Sequence, residues 1–389
     1  MTAANTASAS SATGSVAPLR NPREPALRAG CRFRNDWARL GPMRLLRPAR
    51  SSDVGPLVDL FTSNLDRIQG ISSLRPDEER LSHRVAEAGR AFGGDDDANG
   101  ELDYFCVLED TETGALLGTA AIIAHIGERE PFYSFKLSTR VHRAADLDMV
   151  NKVETLFLTN DYTGCTEIGS LFLDRTAVGR GSGALLSGGR FLLMAEHPQR
   201  FDEKVFAEMR GHQEPDGTVP FWNGLGQLFF PMTFEEADRR CALGQKGFIA
   251  SMFPDHPIYV PLLPEAARRA IGRVHRETKP ALRILERQGF RWERYIDVFD
   301  GGATVEAQRR DLAWVRASRP GLVVAGEPQG AAALVATTDL ADFRCVRTEV
   351  GLVDGEAAVT LGRQAREALG VEPGAAVRVV PLDTVDEGR

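Results

Sequence analysis

Three glycines in the middle of the sequence, Gly179, Gly181 and Gly183, occupy alternate positions between an apolar segment and an amphipathic one. Glycine lacks a Cβ, so a turn built from it can bring main-chain N–H groups against a bulky anion. The partial positive charge at a helix N-terminus favours the same anion. The pattern therefore predicts a diphosphate site, although a tight strand-to-helix turn without a ligand has the same spacing.

The segments around this turn predict a strand before it and a helix after it. Residues 167–173 (EIGSLFL) have the pattern of a strand, residues 178–195 pass from the turn into a helix, and residues 204–211 (KVFAEMRG) predict the next strand. The glycine motif of a dinucleotide-binding fold follows the first strand of a βαβ unit. Here a strand from Met43, a capped helix, a helix from about 77 to 92 and a hairpin come first. Coenzyme A thus fits better than a dinucleotide.

The composition excludes several classes of protein. The 389 residues are 43% hydrophobic and 26% charged, as in a globular protein of two or three domains. No stretch approaches the roughly 20 apolar residues of a membrane-spanning helix. The net charge of −7 disfavours a nucleic-acid partner. Five scattered cysteines without CxxC spacing, and histidines without a ligand pair, predict no disulfide framework, no metal and a cytoplasmic location.

Composition also divides the chain. Residues 1–42 are rich in Ala, Ser, Thr and then Arg and Pro, which predicts a disordered extension or an upstream start codon before Met43, in preference to a transit peptide. Residues 220–230 and 280–290 resemble each other, each a Pro-started helix before an aromatic strand, which suggests two related halves. Residues beyond 319 become rich in Gly, Ala and Val and predict short strands and one helix. The predicted domains are 43–232, 233–319 and a β-rich module at 320–389.

The order of these elements resembles the GCN5-related N-acyltransferases. Residues 43 to about 318 are more specifically similar to the arginine N-succinyltransferase family, through LFLTNDYTGCTEIGSLFLD, AEMRG, PFW, LGQLFF, GQKGFIA, HPIY and ERQGFRWERYIDVFDGG. The resemblance implies a mixed α/β, GCN5-related acyltransferase-like fold with two such halves. It also implies transfer of succinyl from succinyl-CoA, as cosubstrate, to the α-amino group of L-arginine, giving N2-succinylarginine and CoA, with no permanently bound cofactor.

The resemblance assigns the proton-transfer role to His275 and a succinyl-CoA contact to Leu171. An α-ammonium has a pKa of about 8 and must lose a proton before it attacks a thioester, so a base is needed beside it. Leu171 would act through its main-chain N–H, which can stabilise the oxyanion of the tetrahedral intermediate. Without the resemblance, we would interpret His275 as a surface or capping residue and Leu171 as a core residue.

The same resemblance places the CoA diphosphate on Gly179, Arg180, Gly181 and Gly183. The wider superfamily has Arg or Gln three residues before the first glycine of its turn, and here that position, counted from Gly181, is Val178. Arg180 is the candidate replacement for that side chain. The main-chain amides need no particular side chain.

Charged residues near the predicted strands are the candidates for binding the substrates. A guanidinium is best held by carboxylates, and the succinyl carboxylate needs a cation. The candidates are Asn160, Asp161 and Glu167 before and within the cofactor strand, and Glu208 and Arg210 on the strand that follows. A structural salt bridge is the alternative for Glu208 and Arg210.

Three further charged residues lie in the matched stretches or close to them. Lys246 is a second candidate for the succinyl carboxylate. We interpret Asp297 and Asp300 as turn residues before two glycines.

Two other functions stay open. The same fold could acylate ornithine or another amine, or use acetyl-CoA. A non-catalytic protein could instead bind CoA or arginine as a sensor. In either case we expect small-molecule ligands, no membrane partner and a homo-oligomer.

Overall fold

The computed structural model describes residues 42–94, 100–179, 181–242, 248–352 and 357–383. Its strands are β1 (Arg44–Pro48), β2 (Leu102–Asp110), β3 (Leu116–Ala124), β4 (Ser134–Ala144), β5 (Met149–Thr159), β6 (Thr166–Leu173), β7 (Lys204–Glu208), β8 (Ile258–Tyr259), β9 (Arg291–Asp297), β10 (Ala303–Gln308), β11 (Arg319–Ala325), β12 (Ala331–Thr337), β13 (Cys345–Leu352), β14 (Ala358–Leu361) and β15 (Ala376–Pro381). Its α-helices are α1 (Val54–Thr62), α2 (Leu65–Ile68), α3 (Glu78–Phe92), α4 (Ser182–Glu196), α5 (Gln227–Phe229), α6 (Phe234–Ala242), α7 (Phe248–Met252), α8 (Glu265–Ala270), α9 (Lys279–Gln288), α10 (Ala313–Ala317) and α11 (Arg363–Leu369).

The strands hydrogen-bond in the order β12-β15-β11-β14-β13-β1-β2-β3-β6-β7-β10-β9-β4-β5-β8, which gives the chain a mixed α/β fold. The pairs β6–β7 and β11–β14 are parallel, and the other pairs are antiparallel. Strand β12 also pairs with β13, so the five strands β11 to β15 form a closed ring of pairings. We call residues 319–381, which contain these strands, the C-terminal segment. This ring joins the rest of the sheet where β13 pairs with β1. The domain boundaries at 232 and 319 stay predictions.

Helices cover both faces of the strands β2 and β3. Phe105 and Val107 face the core that α1 and α3 contribute, whereas Tyr104 and Cys106 face the core around α4. The predicted helix from about 77 to 92 is confirmed as α3. It begins after Asp77, whose side chain accepts the Arg80 N–H at 2.9 Å, as an N-cap residue does.

Helix α4 packs very close to the sheet because its middle contains two glycines. A Cβ on Gly188 would lie 2.1 Å from Leu334 Cδ1, and a Cβ on Gly189 would lie 2.3 Å from Leu46 Cδ2. No side chain fits at those distances. The two glycines therefore set how closely α4 approaches β1 and β12, and with them the position of its N-terminus.

The two similar segments differ in the structure. Residues 280–290 form α9 and continue into β9, as expected. Residues 220–230 form a π-helix at Trp222–Gly226 and then the short α5, and the residues described directly after them form no strand. The expectation of an aromatic strand there is wrong, because Phe230 is buried against the Trp222 ring, with ring centroids 5.7 Å apart.

Among the described residues, no helix is long and apolar enough to cross a membrane.

Candidate active site

The glycine turn lies between β6 and α4, as the sequence predicted. Gly179 and Gly181 have φ angles of 89° and 78°, in the left-handed region that favours glycine. Helix α4 begins at Ser182, whose N–H donates to the Gly179 carbonyl at 3.2 Å. The first N–H groups of an α-helix have no acceptor within the helix, so they are available to an anion. Arg180 lies outside the described residues.

Arg44 is a residue of this turn that the sequence analysis missed. It stands at the start of β1, more than 130 positions from the turn. Its Nη1 donates to the Ala177 carbonyl at 2.9 Å and contacts the Ser182 hydroxyl. The guanidinium thus ties Ala177, two residues before Gly179, to the first residue of the helix. No local pattern in the sequence could have indicated this contact.

The strands β6 and β7 diverge next to the turn. Within the described chain their pairing consists of two residue pairs, Thr166 with Val205 and Glu167 with Phe206. Farther along, β6 contains a bulge against β3, and Ser170 has a φ angle of 49°. A bulge bends the strand and redirects its main chain. The strands therefore separate beside Leu171, which packs partly buried against the core around α4.

The bulge is held from two sides. Thr119 Oγ1 donates to the Ser170 carbonyl at 2.8 Å, and Arg84 Nη2 donates to the Ser170 hydroxyl at 2.7 Å. Arg84 also donates to the Ser73 carbonyl at 2.9 Å. The segment around Ser73 is thereby fixed close to the gap between the strands.

His275 lies at the far end of β7. Its N–H donates to the Arg210 carbonyl at 2.8 Å, and the preceding residue, Val274, forms a bridge with Gly211. The Glu277 N–H contacts His275 Nδ1 at 3.3 Å. Local chain pairing, rather than a side-chain contact, places the imidazole next to Arg210.

The surroundings of His275 favour the neutral imidazole. Burial lowers the pKa of His275 to about 4, and the positive charge of Arg210 acts in the same direction. Arg276 and His212 also lower this pKa, whereas Glu277 raises it. At neutral pH the ring is therefore uncharged and carries a lone pair, and the same lowered pKa makes it a weaker base than an ordinary histidine.

A cavity of about 750 Å³ opens beside Arg210. Arg210 Nη1 donates to the carbonyl of Arg67, in the segment that forms one wall, and its Nη2 donates to Gln213 Oε1 at 2.7 Å. The same Gln213 amide lies 2.8 Å from where a Cβ on Gly70, a wall residue, would stand. We call this the arginine-lined cavity, after Arg75, Arg80 and Arg239 in its wall.

The charges of the arginine-lined cavity are unevenly matched. Asp238 is buried and contacts Arg75 through a salt bridge. Burial raises the pKa of Asp238, against the opposing effect of Arg75. Burial lowers the pKa of Arg80, and its cationic neighbours Arg84 and Arg75 lower it further. The wall also contains three further acidic residues, Asp66, Asp77 and Glu235. The cavity therefore offers charges of both signs to a polar ligand.

The predicted substrate residues fall into two groups. Arg210 lies beside His275, as described. Burial and Glu306 raise the pKa of Tyr162 most, and the charge of the nearby Glu208 raises it further. The Glu167 carboxylate lies over Gly169, 3.3 Å from where a Cβ would stand. These three residues therefore lie on or next to the diverging strands.

The second group lies farther out. Asn160 and Asp161 are exposed, and Asp161 accepts the Tyr295 hydroxyl hydrogen at 2.7 Å. Lys246 lies outside the described residues.

Asp297 and Asp300 are turn residues, as the sequence predicted. Asp297 accepts the N–H groups of Phe299 and Asp300 at 2.7 and 2.8 Å. Asp300 accepts the N–H groups of Gly211 and Gly302 at 2.5 and 2.8 Å. Burial raises the pKa of both carboxyl groups, and that of Asp300 rises well above its usual range. Asp300 thus fixes the main chain that follows Arg210.

No cluster of three or more His, Cys, Asp or Glu side chains that could hold a metal ion occurs among the described residues.

Comparison with known proteins adds independent evidence. The family model "Arginine N-succinyltransferase beta subunit" matches residues 44–314, and the model of that family's C-terminal domain matches residues 321–381. The arginine N-succinyltransferase subunit alpha of Pseudomonas aeruginosa is 39% identical over 342 residues, which is 87% of this chain and all of the relative. The arginine N-succinyltransferase of Shigella flexneri serotype 5b is 42% identical over 307 residues, or 78% of this chain and 88% of the relative.

A solved structure agrees with these matches. The arginine/ornithine succinyltransferase subunit AI of Pseudomonas aeruginosa superposes with a TM-score of 0.80 at 39% identity, covering 88% of this chain and 99% of that one. The agreement extends over both the sequence and the fold of nearly the whole relative. The chain therefore belongs to the arginine N-succinyltransferase family.

Proposed function

We propose that this protein is an arginine N-succinyltransferase that transfers the succinyl group of succinyl-CoA to the α-amino group of L-arginine. The observation that supports this most strongly is the match to the Pseudomonas aeruginosa succinyltransferase structure over 88% of the chain. The local geometry agrees, because a glycine turn at a helix N-terminus, two diverging parallel strands and a neutral imidazole occur in one fold.

The CoA diphosphate binds the main-chain amides between Gly179 and Ala184 in this proposal. The pantetheine arm then passes between β6 and β7, and the thioester carbonyl meets the Leu171 N–H. A hydrogen bond from a fixed main-chain donor stabilises the charge that develops on that oxygen. The diverging strands and the turn are also the features that support a GCN5-related fold. The second half and the β-rich C-terminal module stay predictions.

His275 carries the proton in the reaction that follows. The imidazole lone pair takes a proton from the α-ammonium, the neutral amine nitrogen attacks the thioester carbon, and the carbon–sulfur bond breaks. The CoA thiolate takes the second proton of that nitrogen and leaves, and the imidazolium releases its proton to solvent. The contact between the Glu277 N–H and Nδ1 is long at 3.3 Å, so the ring can exchange it for the proton of the amine. Attack is direct, in a ternary complex, and needs no cysteine.

The acceptor binds between His275 and the arginine-lined cavity. Glu167 and Glu208 are the carboxylates proposed for its guanidinium, since both stand on the diverging strands. Arg75, Arg80 and Arg210 are the cations proposed for the carboxylates of the two substrates.

Turnover with four substrate pairs tests the proposal. CoA release is measured with arginine or ornithine against succinyl-CoA or acetyl-CoA. We expect the highest kcat/KM for succinyl-CoA with arginine. Turnover of acetyl-CoA without turnover of succinyl-CoA would contradict the proposed acyl group.

The variant His275→Ala distinguishes an enzyme from a sensor. An enzyme should lose turnover by about two to four orders of magnitude while calorimetry still detects succinyl-CoA binding. His275→Gln, which keeps the size and polarity of the side chain, is the matched variant. Unchanged turnover in both variants would exclude His275 from the chemistry.

We also propose that the protein acts in the cytoplasm as a homo-oligomer with small-molecule substrates. The Pseudomonas aeruginosa relative is named a subunit, and the tip of the β4–β5 hairpin exposes Val141, Leu147 and Met149 to solvent. Light scattering should give a mass above one chain for the wild type. A lower mass for Met149→Lys would place the tip in the interface, whereas a monomeric wild type would exclude the oligomer.

A further inference from the structure

The C-terminal segment reaches the proposed diphosphate turn through its strand β13. Strand β13 pairs antiparallel with β1, with Leu45 opposite Val346 and Leu46 opposite Cys345. Continuing that register by one residue brings Arg347 beside Arg44. Cys345 packs in the core around α4, and Val346 packs in the core of the C-terminal strands. Because side chains alternate along a strand, Arg347 points to the same side as Cys345, toward α4.

Arg347 lies directly over the glycine turn. Its Cδ and Nε atoms lie 2.6 Å, and its Cζ atom 2.9 Å, from where a Cβ on Gly181 would stand. Gly181 is the last residue before α4, whose first turn has N–H groups without an acceptor inside the helix. The guanidinium occupies space that only a glycine leaves open. Burial lowers the pKa of Arg347, which reflects a cation held in a confined place.

Two guanidinium groups therefore flank the turn, and both come from outside it. Arg44 contacts Ala177 and Ser182, at the two ends of the turn. Arg347 lies over Gly181 between them. Val178, which occupies the position of the superfamily's Arg or Gln, is 62% exposed and brings no charge. Strands β1 and β13 therefore add positive charge to that of Arg180 in the turn's own sequence.

We propose that Arg347, contributed by the C-terminal segment, binds the diphosphate of the acyl-CoA substrate. This rests on the proposed function, since it presumes that CoA occupies the turn. Arg44 keeps the turn closed through its carbonyl and hydroxyl contacts, and Arg347 adds a guanidinium that can hold two phosphate oxygens at once. The C-terminal segment is then part of the substrate site of this chain.

Kinetics with a full and a truncated thioester test the role of Arg347. In Arg347→Met we expect the KM for succinyl-CoA to rise about tenfold or more, as for the loss of a charge-assisted hydrogen bond, with kcat within about twofold. Arg347→Lys keeps the charge but lacks the planar guanidinium, so its KM for succinyl-CoA should lie between those of the wild type and Arg347→Met. S-succinyl-N-acetylcysteamine has no phosphate, so the wild type and Arg347→Met should use it equally well.

The matched control is Arg344→Met. Arg344 precedes β13 by one residue and lies an odd number of positions from Arg347, so it points to the other side, where it pairs with Asp342. This variant should keep the wild-type KM for succinyl-CoA. An equal rise in KM for Arg344→Met and Arg347→Met would show a general effect on the fold and overturn the proposal.

Calorimetry separates this proposal from the proposed reaction. CoA itself should bind Arg347→Met about tenfold more weakly than wild type, whichever acyl group or acceptor the enzyme uses. If the wild type binds CoA but does not turn over succinyl-CoA, the proposed reaction is refuted. Weaker CoA binding by Arg347→Met would still support the role of Arg347 in that case. Equal CoA affinity in the two proteins, or equal losses with the truncated thioester, would refute the role of Arg347.

Discussion

The charge around His275 gives a quantitative test of the proposed chemistry. With a pKa of about 4, the imidazole is about 97% neutral at pH 5.5, whereas an ordinary histidine with a pKa of about 6.5 would be about 9% neutral. If the neutral ring is the working form, the wild type keeps its activity down to about pH 5. A histidine that is not perturbed would lose about tenfold in kcat/KM at pH 5.5.

Arg210 is the residue to change, because after burial its charge is the largest cause of the lowered pKa. Arg210→Met removes a positive charge, so the pKa of His275 should rise by about one unit, to a value below its ordinary 6.5. The acid limb of the kcat/KM profile should move to higher pH by the same amount. Glu277→Gln removes the one negative charge that raises this pKa, so it should move the limb in the opposite direction.

The pKa is measured directly from the imidazole carbon-bound hydrogen by NMR, with His275→Gln to assign the signal. The kcat/KM profile from pH 4 to 9 is recorded on the same proteins, and circular dichroism at each pH confirms that the fold is intact. Arg276→Gln is the same-sign control, since Arg276 also lowers the pKa. A wild-type His275 that titrates near pH 6.5, or a pKa that falls in Arg210→Met, would refute the reasoning.

Three further predictions concern the framework of the site. Gly188→Ala should lower the free energy of unfolding by about 1–3 kcal/mol through overpacking, whereas Gly89→Ala, in open space on α3, should raise it by up to about 1 kcal/mol; equal effects in urea unfolding would contradict this. Asp53→Ala should cost about 3 kcal/mol because it removes a buried partner of Arg47, and Arg47→Met with Asp53→Leu should recover part of that loss in the same assay, since Glu109 also loses its contact with Arg47. Gly181→Ala should cost more than the roughly 1–2 kcal/mol of a left-handed φ of 78°, because its Cβ would also lie 2.6 Å from Arg347, and it should raise the KM for succinyl-CoA; an unchanged KM would exclude the turn from the cofactor site.

The parts of the fold that the sequence predicted have strong local signals. Helix α3 has a capping aspartate and apolar residues at helical spacing, and the β2–β3 hairpin has two apolar strands around a short turn. The glycine turn between β6 and α4 was predicted because positive φ angles restrict the residue type. In contrast, the long β4–β5 hairpin was missed. Its outer half is exposed, so it lacks the apolar alternation by which a strand is recognised.

The sequence predicted a site residue only where one segment of the chain carries the signal for it. His275 was found through the resemblance, since its sequence neighbourhood indicates no function. The arginine-lined cavity was not found, because its two walls come from residues 65–80 and 234–239 and meet only in the folded chain. Arg347 was missed for the same reason, at 166 positions from Gly181 in the sequence.

Helix α4 links these long-range contacts to the proposed chemistry. Gly188 and Gly189 set how deeply the helix lies on β1 and β12, and seven residues before Gly188 stands Gly181, about 10 Å along the helix axis. A helix transmits a displacement along its axis, because its hydrogen bonds keep its turns in register. A side chain added at Gly188 should therefore move the turn away from Arg347 as well as disturb the core. The stability of the sheet and the affinity for the thioester are thus expected to change together in α4, whereas at Arg347 only the affinity should change.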